Sequence, residues 1–290
     1  MNKYVSLIID IEKSKSYDIR DRNEMQHYID KCIKNLNFLY GEELQCEVTF
    51  SAGDELQGLF NDVVSALSYF RILEMLVKPV KIRAGIGIGD WTVKIDRGLS
   101  TQQDGPAYHK ARKAIEDAHS MQLQNIRICS DYDDTLANHL VNASLLLKRQ
   151  QIYMQNIVQV LIELLFPFVP KHIDLDKYDT VKELIAIKFQ YRIGAKNGGM
   201  YSRRNVAMKQ ESLDLDRIPK AIPIYVDEKI CNVESTIIKK NTASIISEIL
   251  QCSRQNVDTI MRRGNSNKIR ELDFVALQYV RENYGESRWS

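Results

Sequence analysis

Apolar residues along the chain switch between a period near two and a period near 3.6, and the switches mark out the elements. Tyr4–Ile11 is an almost unbroken apolar and β-branched run with Asp10 near its end, the pattern of a buried central strand. Across Asp21–Tyr40 the apolar positions become Met25, Tyr28, Ile29, Cys32, Ile33, Leu36 and Leu39, which is helical spacing. Glu47–Phe50 and Glu55–Phe60 read as strands around a Ser51-Ala52-Gly53-Asp54 turn. Val63–Leu76 is a helix with one apolar face, and Val80–Gly89 is a Gly-rich strand. Gly105–His119 is a helix entered through Asp104-Gly105-Pro106, and Asn125–Cys129 is a short last strand. The order β-α-β-β-α-β, then helix and strand, predicts an α+β ferredoxin-like palm over residues 1–132. Such a sheet carries helices on one face and leaves the other for a ligand or partner.

Residues 133–193 read as a helical connecting region, with apolar stretches at Leu140–Leu147 and Ile157–Phe168. Residues 194–235 are a loop or linker, rich in Gly, Asn, Arg and Ser up to 220 and followed by a β-prone piece at Ile222–Val226. Residues 236–290 return to helix. Within them, Ile246, Ile249 and Leu250 share one helical face, and Val257, Ile260 and Met261 share another. Gln251-Cys252-Ser253 separates the two, and Ser253 is a good N-cap. This predicts a helix-turn-helix over Thr242–Gly264.

Composition narrows the setting. The 290 residues are 44% hydrophobic and 27% charged, close to globular averages, with a formal net charge of only +2. No global field points to nucleic acid, so any DNA contact needs a local patch. Cys32, Cys46, Cys129, Cys231 and Cys252 form no CxxC pair, which fits reduced thiols rather than zinc or disulfides. The N-terminal apolar run is interrupted by Asp10, and Val160–Val169 contains Glu163 and Pro167. Neither suits a signal peptide or a bilayer span, so a cytoplasmic chain without a membrane partner is expected.

Asp10 ends the first strand, and Asp54 and Glu55 sit at the hairpin turn. Central strands bring these positions together, and converging carboxylates suit Mg²⁺ or Mn²⁺, hard cations that bridge to phosphates. Lys13, Ser14, Lys15 and Ser16 lie where a helix begins and offer charge, hydroxyls and N–H groups to a triphosphate. A structural reading of the same acids is available, because Asp favours turns. No Walker-type loop is present. Gly85, Gly87 and Gly89 fit close strand packing better than a dinucleotide site.

Several segments resemble known enzymes. SAGDELQGLF resembles the metal hairpin of class III adenylate and guanylate cyclases, and Ala52-Gly53-Asp54-Glu55-Leu56 also resembles the GGDEF signature. LIIDIEKSKS resembles the first metal strand of both, KIRAGIGIG the Arg-x-Gly-Ile strand, and DGPAYHKARKA the helix that follows. In this order the motifs most closely resemble the SatD family, which pairs a cyclase-like region with a C-terminal helix-turn-helix. The resemblance implies a metal set of Asp10, Asp54 and Glu55. It implies a nucleotide-binding set of Ile11, Lys13, Ser14, Lys15, Phe50 and Gly53. It places His109 and Lys113, with Arg112 one step away, where catalytic cyclases carry an Asn and an Arg. Phe50 stands where those enzymes carry a purine-selecting Lys. The metal site therefore resembles an intact one while the base-reading and transition-state positions differ, which favours nucleotide binding over efficient cyclisation.

On the second helix of the C-terminal motif, Arg254, Gln255, Asn256 and Thr259 are placed for base edges, and Arg262 and Arg263 for phosphates. The leading expectation is a ligand-sensing DNA-binding regulator: a palm loaded with a metal–nucleoside triphosphate, and DNA read through residues 242–264. A homodimer through the palm is one arrangement that would supply the two-fold symmetry of operator half-sites. An active nucleotidyl cyclase or nucleotidyltransferase, and a non-catalytic interaction module, are the alternatives.

Overall fold

The computed structural model describes residues 3–169, 178–190, 215–226 and 237–285. Its centre is a five-stranded sheet in the order β2-β3-β1-β4-β5, built from β1 (Tyr4–Ile11), β2 (Leu44–Ala52), β3 (Glu55–Phe60), β4 (Ile82–Gly89) and β5 (Ile126–Cys129). β1 is antiparallel to both β3 and β4, and β5 joins β4 in parallel. The first four strands with helices α1 (Ile19–Leu39) and α2 (Val63–Val77) make the ferredoxin-like α+β unit. Most of the expected segment 194–235, including its Gly/Asn-rich stretch, lies outside the described residues.

Strand alternation sends β1 side chains to two different surroundings. Val5, Leu7, Ile9 and Ile11 join one core with Met25, Ile29 and Cys32 of α1 and Leu67, Phe70 and Leu73 of α2. Ile8, on the opposite face, meets Ala111 and Ile115 of α3 (Pro106–Ser120). α3 lies close against β4 because Gly85, Gly87 and Gly89 present no side chains to it. A Cβ at Gly87 would sit 2.1 Å from the carbonyl oxygen of Ala107, and one at Gly85 2.3 Å from that of Ala111. The sheet is thus not open on its second face: α3 covers β1, β4 and β5. The segment around Ser100–Gln102 covers β2 and β3, where the Gln57 side chain donates to the Ser100 carbonyl at 3.1 Å.

α2 is buried nearly all round, which is what a helix between two layers requires. The sheet lies on one side of it. On the other lie α6 (Tyr153–Leu165) and, after α4 (Thr135–Leu140), α5 (Leu145–Gln150), α7 (Tyr178–Gln190), α8 (Thr242–Ile249) and α9 (Arg254–Arg263), the long α10 (Ser266–Tyr284). A short parallel pair, β6 (Phe168–Val169) with β7 (Ile224–Tyr225), borders this layer. Among the described residues the main hydrophobic core includes residues from Val5 to Tyr284.

Charge also ties the layers together. Arg71 of α2 donates to Asp273 of α10 at 2.8 Å and to Glu163 of α6 at 3.1 Å. Arg270 contacts Glu163 at 2.8 Å and lies 4.1 Å over the Phe168 ring, and Lys148 of α5 lies 3.1 Å from Asp273. All are buried. Burial alone pushes the Asp273 carboxyl up, but Arg71 and Lys148 outweigh it and hold it below its ordinary value. No described helix is long and apolar enough to cross a membrane.

Removing one member of a buried ion cluster strands the others. Asp273→Ala is expected to lower unfolding free energy by about 3–5 kcal/mol in urea titrations. The Asp273 contribution is present above its unfolded pKa and is lost as pH falls through the lower folded value. A loss below about 1 kcal/mol would show that the cluster does not hold the layers. Gly87→Ala forces a methyl into backbone and should cost about 3 kcal/mol or more.

Candidate functional site

Register places the acids. Asp10 is the cross-strand partner of Glu55 on one side and of Arg83 on the other, so all three side chains share the α3 face at one end of the sheet. Ala52 pairs with Glu55, leaving Gly53-Asp54 as a two-residue hairpin loop. Gly53 carries φ +64 there, with open space where a Cβ would be. A positive φ at the first loop position is what a type II′ turn demands. The turn delivers Asp54 beside the other two acids, close enough to raise the Asp10 carboxyl by its charge.

α3 supplies the donors. The Arg112 guanidinium grips Glu55 with both Nη atoms, Nη2 at 2.9 Å, and Ser51 Oγ donates to the same carboxylate at 2.8 Å. His119 Nε2 lies 3.5 Å from Asp10, and its Nδ1 faces Arg83 Nη1 at 3.3 Å. A guanidinium only donates, so Nδ1 is the acceptor and the ring proton sits on Nε2, facing Asp10. Arg83 also pairs with Glu12 at 3.2 Å. Ser14, buried after β1, donates its hydroxyl to Asp54.

These contacts split the carboxylates electrostatically. Partial burial raises Asp10 above its ordinary value, and Asp54 and Glu55 add to the rise against His119 and Arg83. Burial also pushes Glu55 up, but hydrogen bonds from Arg112 and Ser51 outweigh it and hold Glu55 below its ordinary value. Among the described residues no three potential ligands are gathered into a ready metal cage. The donor chemistry, hard oxygens with one carboxylate under like-charge strain, fits a hard divalent cation. The Arg112–Glu55 bridge is half-exposed on its Arg side, a class of ion pair worth about 1 kcal/mol or less.

The family model for SatD matches residues 4–210. The chain belongs to the SatD family. No curated protein matches this SatD chain. Among solved structures, that of a bacterial light-regulated adenylyl cyclase is similar, at 13% identity over 43% of this chain and 74% of the other, with a TM-score of 0.33. The family match ends before α8.

In this SatD protein the other expected residues fall in different places. His109 sits at the exposed start of α3, 3.4 Å from Asp104. Lys113 is exposed and acts on Cys129 of β5, so of the three expected catalytic residues only Arg112 meets the acids. The Ile11 side chain is in the α1–α2 core, and Phe50 packs against the same core. Neither side chain faces the acids. Lys13 (φ 55) and Lys15 are exposed beside Ser14, and the Gly53 carbonyl accepts from Gln26 Nε2 at 2.9 Å. His119 and Arg83 carried no expected role. The i, i+7 spacing of Arg112 and His119 on one helix was the signal for the first.

In the C-terminal segment α8 and α9 are joined by a turn in which Gln251 takes φ 48, the position where Gly is usual. Ser253 accepts from the Asn256 N–H, as an N-cap should. Val257 and Met261 are buried. Arg254, Gln255, Asn256, Arg262 and Arg263 are exposed, while Thr259 is half-buried and donates to the Gln255 carbonyl.

Carboxyl-carbon NMR titration should find Asp10 above 3.8 and Glu55 below 4.5. Arg112→Ala should move Glu55 upward; an unmoved Glu55 would contradict the grip seen here.

Proposed function

We propose that the carboxylate end of the palm binds a divalent-metal nucleotide and that the exposed face of α9 reads DNA, making the protein a cytoplasmic ligand-sensing DNA-binding regulator. The observation that carries the reading is the convergence of Asp10, Asp54 and Glu55 with Arg112 at one end of the sheet. Mg²⁺ or Mn²⁺ needs only one or two carboxylates when nucleotide phosphates supply further oxygens, so a preformed cage is not required. Asp10 and Asp54 would take the cation, and Arg112, released from Glu55, would meet a phosphate oxygen. Ser14, Lys13 and Lys15 border the same end. The positions of His109 and Lys113 away from the acids support a sensor over an efficient cyclase.

For DNA, Arg254, Gln255 and Asn256 at the start of α9 suit base edges, and Arg262 and Arg263 suit phosphates. The α9 end is fastened to the body, where the Gln151 side chain donates to the Gly264 carbonyl at 2.8 Å. Pairing of two palms would give the symmetry that operator half-sites need. The second reading, a working nucleotidyl cyclase or nucleotidyltransferase, draws on Arg112 as a cation near the metal carboxylates.

Thermal shift with each nucleoside triphosphate and Mg²⁺ or Mn²⁺ should stabilise the wild type and not Asp54→Ala. Chromatography of the same mixtures should show no cyclic or linear product; turnover would establish the enzyme reading instead. Binding to DNA from its own promoter region should weaken with salt and fall about 5- to 100-fold in Arg254→Ala. Unchanged binding would exclude base reading by α9.

A further inference from the structure

Glu12 follows β1, two residues past Asp10, and its side chain is only 10% exposed. Its Oε1 is buried and accepts no hydrogen bond among the described residues. Two guanidiniums approach that atom from different layers. Arg83 of β4, the cross-strand partner of Asp10, comes within 3.2 Å through Nε. Arg149 of α5 comes within 4.0 Å through Nη2. Neither closes on it. Arg83 is also engaged with His119 Nδ1, 3.3 Å from its Nη1, and Arg149 donates from Nη1 to the Gln122 carbonyl at 3.1 Å. A buried acceptor left open is disfavoured, so either guanidinium gains by completing the bond, and only one arrangement can win.

This contest is joined to both ends of the protein. On one side Arg83 meets His119, whose Nε2 lies 3.5 Å from Asp10. On the other side Arg149 belongs to α5, and the chain beyond it has little slack. The Lys78 ammonium donates to the Lys148 carbonyl and, at 2.7 Å, to that of Gln151. The Gln151 side chain, 2% exposed, donates to the Gly264 carbonyl at the end of α9 at 2.8 Å. Gly264 in turn sits so close to α6 that a Cβ there would lie 2.9 Å from Gln155 Cβ. A shift of α5 therefore reaches α9 with few soft contacts between.

We infer that Glu12 couples the carboxylate end of the palm to α9, with Arg83 and Arg149 as its competing partners. The inference rests on the metal site and DNA face of the proposed function and adds the connection between them. A divalent cation on Asp10 repels the Arg83 guanidinium and turns it from His119 onto Glu12. Arg83 then fills Oε1, Arg149 loses its share of the carboxylate, and α5 relaxes against Gln151. Each ligand in this way alters the affinity for the other.

Amide NMR of the full chain tests the coupling without any ligand. Asp10→Asn removes the charge that holds Arg83 on its side, as a bound cation would. It should move the signals of residues 149–152 and 262–266. In a Glu12→Gln background the same change should leave them in place. Arg149→Gln, at a part-exposed position, should silence residues 262–266 in the same way. Absence of the response in the otherwise wild-type chain, or its persistence in both backgrounds, would overturn the coupling. A second measurement takes DNA affinity with and without Mn²⁺ and each of the four nucleoside triphosphates. The effective nucleotide should change DNA affinity about 5- to 150-fold in the wild type and less than about twofold in Arg149→Gln, which still binds both ligands. An equal change in Arg149→Gln would also overturn the coupling. A wild type that binds no nucleotide or no DNA would instead refute the proposed function, and the ligand-free spectra would still decide whether Glu12 joins the two regions.

Discussion

The close seating of α3 on β4 is the constraint on which the rest of the site depends. Gly85, Gly87 and Gly89 leave one face of β4 bare beyond Arg83, and Ala107 and Ala111 present small surfaces to it. At that separation Arg112 and His119, seven residues apart on α3, meet Glu55 and Asp10 in adjacent strands. A bulkier contact would lift the helix and carry both side chains out of reach. The fold thus converts a packing requirement into an arrangement of charge.

A second device holds the C-terminal helices to the palm. Arg71, Glu163, Arg270, Asp273 and Lys148 form a buried ion cluster across α2, α6, α10 and α5. Such a cluster contributes modest net stability, since desolvation offsets much of the attraction, but it tolerates few alternative packings. Together with the shared apolar core, it fixes α9 relative to the sheet through α6 and Gln151. In the proposed function, ligand effects on DNA binding would travel through this layer.

Much of the palm was legible because its strands are buried by local composition. Tyr4–Ile11 and Glu55–Phe60 coincide with β1 and β3, and the helix pair around Ser253 follows from one N-cap and two apolar stripes. Asp10, Asp54 and Glu55 were legible as a group because hairpin and strand order bring them together. What was hidden depended on contacts distant in sequence. Arg71, Arg270 and Asp273 are buried through helices distant in sequence. Described residues of the C-terminal helices join the same hydrophobic cluster as the palm, a contact that local pattern does not show. Ile11 and Phe50 lie near the candidate acids in sequence, but strand alternation turns their side chains to the opposite face.

The most direct measurement is paramagnetic broadening of amide resonances by Mn²⁺ in the presence of a nucleoside triphosphate. If a cation joins Asp10 and Asp54, signals around residues 10–14, 53–55 and 116–119 should broaden together, and those of α9 should stay sharp. Broadening centred elsewhere, or spread evenly over the protein, would contradict the account.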